Sequence, residues 1–139
     1  MLVESVPMNN AELVAAFEAG KISPAQFSHE NHVRVAWGLA HRYGKRDGLE
    51  RLVTGIKALA VRAGKPDAFH VTLTRAWFDL ITAVEDLDAA PELFEKSLIK
   101  RFYSAERIAA GREQWLEPDL HPLQLSLPAT GAEPADTAR

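Results

Sequence analysis

The sequence predicts an all-α fold. Apolar residues recur at three- and four-residue spacing through most of the chain. Asn, Ser, Asp and Pro stand before these periodic runs, with Gly or Pro behind them, as helix ends require. No run alternates in the strand manner around a hairpin turn, and no repeat occurs at a solenoid period. The expected architecture is a compact bundle of four or five helices with an extended Pro/Leu-rich strap at the C-terminal end.

Asn9 or Asn10 is placed to cap a short helix over Ala11–Ala19, with Leu13 and Phe17 one turn apart and Gly20 as its stop. Pro24 interrupts the connector that follows. Ser28 then caps a helix reaching about Tyr43, where Gly44 ends it. On its wheel His29, His32, Val33, Ala36, Trp37, Leu39, Ala40 and Tyr43 share one arc. Glu30, Asn31, Arg34, Gly38, His41 and Arg42 share the other. Asp47 is the expected cap of a third helix, apolar at Leu49, Leu52, Val53, Ile56, Leu59, Ala60 and Ala63 and closed by Gly64 and Pro66.

A fourth helix is expected from an Asp67 cap to about Asp86–Asp88, with His70, Leu73, Thr74, Trp77, Leu80, Ile81 and Val84 inward. Thr72 and Thr74 are β-branched and favour a late start. Pro91 opens a fifth helix to about Tyr103, and Ser104 caps a shorter segment through Gln114 that Gly111 weakens. Pro118, Pro122 and Pro128 among spaced leucines make Trp115–Leu127 an extended strap. Residues 1–128 form one domain in this reading, and 129–139, small, polar and Pro/Gly-bearing, a disordered tail.

Composition narrows the function classes. A net charge of −3 gives no reason to expect nucleic acid or an anionic membrane as partner. The basic pairs Lys45-Arg46 and Lys100-Arg101 read as solvated helix ends, although Arg101 has the chemistry of an anion clamp and Tyr103 that of a proton donor. With no cysteine, disulfides and thiolate metal sites are excluded, which suits a reducing cytoplasm. Neither a secretory signal nor a membrane-length apolar run is seen. Gly44, Gly48 and Gly55 make no phosphate loop, and no serine sits in a nucleophile turn.

The chemistry-bearing candidates are histidines. His29 and His32 lie three residues apart on one helical face, and His70 also stands at a helix start. If those starts are neighbours, three imidazoles converge, leaving an open coordination position as in catalytic zinc sites. Glu30, Asp67 or Glu85 could add a carboxylate, directly or from behind a ligand, which would favour an iron site. The expectation is a divalent metal (Zn, Fe or Cu) activating water or oxygen for a small-molecule substrate, as a hydrolase or oxygenase. Phe27, Trp37, Tyr43, Phe69, Thr74 and Trp77 are candidate pocket lining, although the spacing of Trp37 and Trp77 is equally that of core. His-Glu-Asn-His is one residue short of the zinc-protease motif, so Glu30 inherits no general-base role.

A metal-free alternative stands beside this: a helical module binding a small ligand or a protein, its histidines hydrogen-bonded core groups. Self-association through helices is a third reading, which calls for an exposed apolar patch.

The runs Phe27-x-His29-x-x-His32-x-x-x-Ala36-Trp37 and Gly64-Lys65-Pro66-x-x-Phe69-His70-x-Thr72-x-Thr74-x-Ala76-Trp77 resemble a family of small all-helical bacterial proteins. Tyr103-Ser104-x-Glu106-Arg107 and Glu117-Pro118-Asp119-Leu120-x-Pro122-Leu123 extend the likeness to most of the chain. The resemblance implies no reaction. It directs attention to the three histidines.

Overall fold

The computed structural model describes residues 9–125. The expected tail over 129–139 and the last residues of the strap lie outside the described residues. Within them every regular element is helical and no strand occurs. Among the described residues no helix is long and apolar enough to cross a membrane.

Helix α1 spans Asn10–Glu18. Its cap is reciprocal: the Asn9 side chain accepts from Glu12 N–H at 2.8 Å, and the Glu12 carboxylate accepts from Asn9 N–H at 3.0 Å. Leu13, Val14 and Phe17 are its buried face.

Helix α2 runs over His29–Arg62, broken at Gly44 by backbone angles of φ 87° and ψ 167° that only glycine adopts readily. The break comes where the sequence places a helix stop. The second limb resumes at once, however, so Asp47 lies inside the helix and caps nothing. Ser28 caps the first limb by accepting from Asn31 N–H at 3.2 Å.

The first limb is covered on more than the expected arc. A Cβ on Gly38, expected on the wet side, would run into Val14 of α1, and one on Gly55 of the second limb would run into the Phe17 ring. Small residues at these two points let α1 lie close across both limbs.

Helix α3 spans Val71–Thr82 and packs on α2. It starts later and ends earlier than its apolar pattern suggests. Asp67 belongs to a preceding 3₁₀ turn over Pro66–Ala68, and the cap is His70.

The expected fifth helix is instead two 3₁₀ pieces, Pro91–Phe94 and Lys96–Arg101, separated by an extended Glu95. That break resets the register, so Leu93 and Leu98, five residues apart, are both buried. Helix α4 covers only Ala105–Ala110, capped by Ser104 as expected and ended at Gly111. The strap beyond it holds no regular structure up to residue 125.

The core joins Leu13, Val14 and Phe17 of α1 with Val33, Val35, Leu39 and Leu52 of α2, Trp77, Phe78, Leu80 and Ile81 of α3, and Leu93, Ile99, Phe102 and Tyr103.

Candidate functional site

The histidines fall into two separate groups. His29 lies against Trp77, edge to face, with ring centroids 4.6 Å apart. Trp77 stands seven residues beyond His70, roughly 10 Å along the axis at 1.5 Å per residue. The start of α2 therefore packs against the middle of α3 and not against its beginning. The expected meeting of two helix starts is not formed.

His29 and His32 remain neighbours, their ring centroids 6.2 Å apart. The Nε2–H of His29 donates to the Leu93 carbonyl at 2.9 Å. The extended Glu95 frees that carbonyl, because no continuous helix runs on to claim it. Burial lowers the His29 pKa, with the Leu93 bond opposing and the Lys96 charge adding to the fall. His32 is half-buried as a residue, yet its Nε2 is sealed from solvent and has no hydrogen-bond partner among the described residues. Burial first, and then the neighbouring His29, lower its pKa to about 4. Phe27 closes this side, 5.6 Å from the His32 ring and stacked at 5.4 Å on Phe17.

His70 does something else. Its Nδ1 accepts from Leu73 N–H at 3.1 Å, so the ring proton sits on Nε2, which donates to the Ile108 carbonyl at 2.7 Å. Both nitrogens are engaged by backbone. Burial lowers its pKa, partly opposed by the Ile108 bond and reinforced by the Arg112 charge. A metal would have to displace one of the two bonds.

The rest of the α3 start is met by chain some forty residues later. Val71 N–H donates to the Arg112 carbonyl at 2.8 Å and Thr72 N–H to the Gly111 carbonyl at 3.1 Å. The Thr72 hydroxyl donates to the Gln114 carbonyl at 2.6 Å and accepts from Leu116 N–H at 3.0 Å. With Leu73 N–H on the His70 ring, the N–H groups of Val71, Thr72 and Leu73, which have no acceptor within the helix, are all met. This is structural work, and it accounts for His70 completely.

Among the described residues no group of three or more His, Cys, Asp or Glu side chains could hold a metal ion. The expected carboxylates are dispersed. Glu30 is exposed and pairs with Arg34 at 3.8 Å. Asp67 is exposed in its 3₁₀ turn, offering its backbone carbonyl to Arg112 at 3.1 Å. Glu85 is exposed beyond the end of α3.

Of the expected pocket residues, Phe27 and Trp77 set their rings against the His29–His32 pair. Trp37 donates to the Val84 carbonyl at 3.1 Å and stacks on His41. Tyr43 donates to Glu18 at 2.9 Å beneath the Arg51 guanidinium. Phe69 carries the Lys57 ammonium 5.1 Å from its ring centre, and Thr74 is buried within α3. Tyr103 is buried, donates to the Leu116 carbonyl at 2.7 Å and has its pKa pushed up to about 12, chiefly by burial. It is a structural phenol.

No protein family, curated protein or solved structure matches this chain.

Proposed function

We propose that the protein is a compact helical binding module that takes a small ligand or partner on its surface, and that its histidines serve the fold. One observation carries this reading: His70, the residue needed to complete a three-imidazole site, has both ring nitrogens committed to backbone groups. Its cysteine-free sequence suits a reducing cytoplasm.

A metal reading retains one supporting observation, the sealed and unpartnered Nε2 of His32 beside His29. A divalent Zn, Fe or Cu ion acting on a small molecule would need a third ligand carried in by rearrangement of the chain.

Titration of untagged protein with Zn²⁺, Fe²⁺ and Cu²⁺, beside His70→Ala, separates the two. The module reading expects no stoichiometric uptake that depends on His70. One metal ion per chain, lost in His70→Ala while the metal-free stability is kept, would replace it with the metal reading.

A further inference from the structure

The surface grooves differ in how their charges are balanced. In the groove of about 800 Å³ between α1 and the second limb of α2, Arg46 and Arg51 face Glu18 and Glu50, and Arg51 is paired with Glu18 at 2.7 Å. A groove of about 450 Å³ beside the strap sets Arg75 against Glu117 and Asp119. Its neighbour across the strap is different. This groove, about 720 Å³, runs between the 3₁₀ turn over Lys96–Arg101 and strap residues 120–125. Leu120 and Leu125 give it an apolar lining over the nearly buried Leu98 and Phe102, while Lys100, Arg101 and His121 supply nitrogens, and among the described residues no carboxylate lines it.

The two cations are uncompensated among the described residues. Among the described residues neither the Lys100 nor the Arg101 side chain makes an ion pair or a hydrogen bond. In a chain of net charge −3, a paired cation site without a counter-charge is the less expected arrangement. Leu120 is 48% exposed, one of two large apolar side chains so open among the described residues. The walls are also fixed. Leu120 N–H donates to the Phe102 carbonyl at 3.0 Å, and Asp119 accepts from the Ser104 hydroxyl and N–H at 2.6 and 2.9 Å. The strap is thereby held against the segment it faces.

An apolar trough with unpaired cations suits a ligand with a hydrocarbon body and an anionic end. We infer that this groove binds a free, single-chain aliphatic carboxylate, its chain against Leu120 and Leu125 and its carboxylate held by Lys100 and Arg101. The inference rests on the binding-module reading and names the ligand class for it.

The test is titration of the full-length protein with decanoate below its micelle concentration, followed by calorimetry and by amide shifts of Phe102, Leu120 and Leu125. Decanoate should bind once, with shifts at those amides, and Lys100→Glu/Arg101→Glu should bind roughly tenfold more weakly or worse. Decanol, with the same chain and no charge, should also bind roughly tenfold more weakly. Arg101 is exposed, so Arg101→Gln serves as a milder variant if the double reversal disturbs the circular dichroism spectrum. Equal binding of decanol, binding indifferent to both variants, or association with anionic vesicles but not with monomeric decanoate would each overturn the inference. None of these results bears on metal uptake, so the module reading stands or falls separately by its own titration.

Discussion

Replacing His70 separates a structural from a metal-binding role, and the structure sets the size of the effect. His70→Ala removes the acceptor of Leu73 N–H, a helix-cap loss of about 1 kcal/mol. It also removes the 2.7 Å bond to the Ile108 carbonyl, which keeps Gly111 N–H as a donor at 3.1 Å, so the loss is that of one hydrogen bond, about 0.5–1.5 kcal/mol. The two losses together amount to about 1.5–2.5 kcal/mol, or about 5–10 °C in melting temperature for a chain of this size. His70→Asn distinguishes the parts. Asparagine is a good cap but too short to reach Ile108, so it should recover about 1 kcal/mol of the loss. Urea unfolding of the metal-free proteins at pH 7.5 measures both. A His70→Ala protein within about 0.5 kcal/mol of the parent, or an Asn variant no better than Ala, would refute the capping argument.

Two further outcomes concern buried groups and backbone. The His32 imidazole titrates near 4 when folded against an ordinary 6.5, so on acidification the unfolded chain takes up the proton first. Stability is therefore full above pH 6.5 and falls between 6.5 and 4, by about 3 kcal/mol from this residue, with His29 and His70 shifted in the same direction. His32→Phe should flatten much of that slope and at pH 7.5 match or exceed the parent, since an unmet polar atom is removed. Unfolding curves at several pH values decide it, and an unchanged slope would count against the assignment. Gly44→Ala forces a side chain onto φ 87° and should cost about 1–3 kcal/mol by thermal melting; no loss would mean that the limbs can join in another way.

Local chemistry at helix ends made much of the fold legible. Asn9, one of the two asparagines offered as a cap, Ser28, Gly44 and Ser104 all act where the sequence places them, because caps and stops depend on one or two side chains and their own backbone. The segment over Pro91–Arg101 was not legible in the same way. Phe94, Leu98 and Phe102 suggest a helical stripe, but burial of Leu93 and Leu98 together outweighs it. His70 was misread for a related reason. Aspartate is the commoner cap, so Asp67 stands out in the sequence, while the partner that fixes the His70 ring lies 38 residues away. The candidate site suffered most, since a convergence of three side chains depends on how far one helix slides along another, and no local pattern encodes that. The Lys100-Arg101 pair was visible throughout. That no carboxylate among the described residues faces it appears only once the strap is in place.

The dependence of α3 on residues 108–116 also bears on the order in which the chain acquires its structure. During synthesis Val71 and Thr72 emerge well before the carbonyls of Gly111 and Arg112 that receive their amide protons. Closing that long loop before any reward is collected slows the step, so the opening turn of α3 settles late, after the paired limbs of α2 have already formed from nearby contacts. A nascent chain halted before Leu116 would carry this turn frayed, and chaperones would meet it in that state.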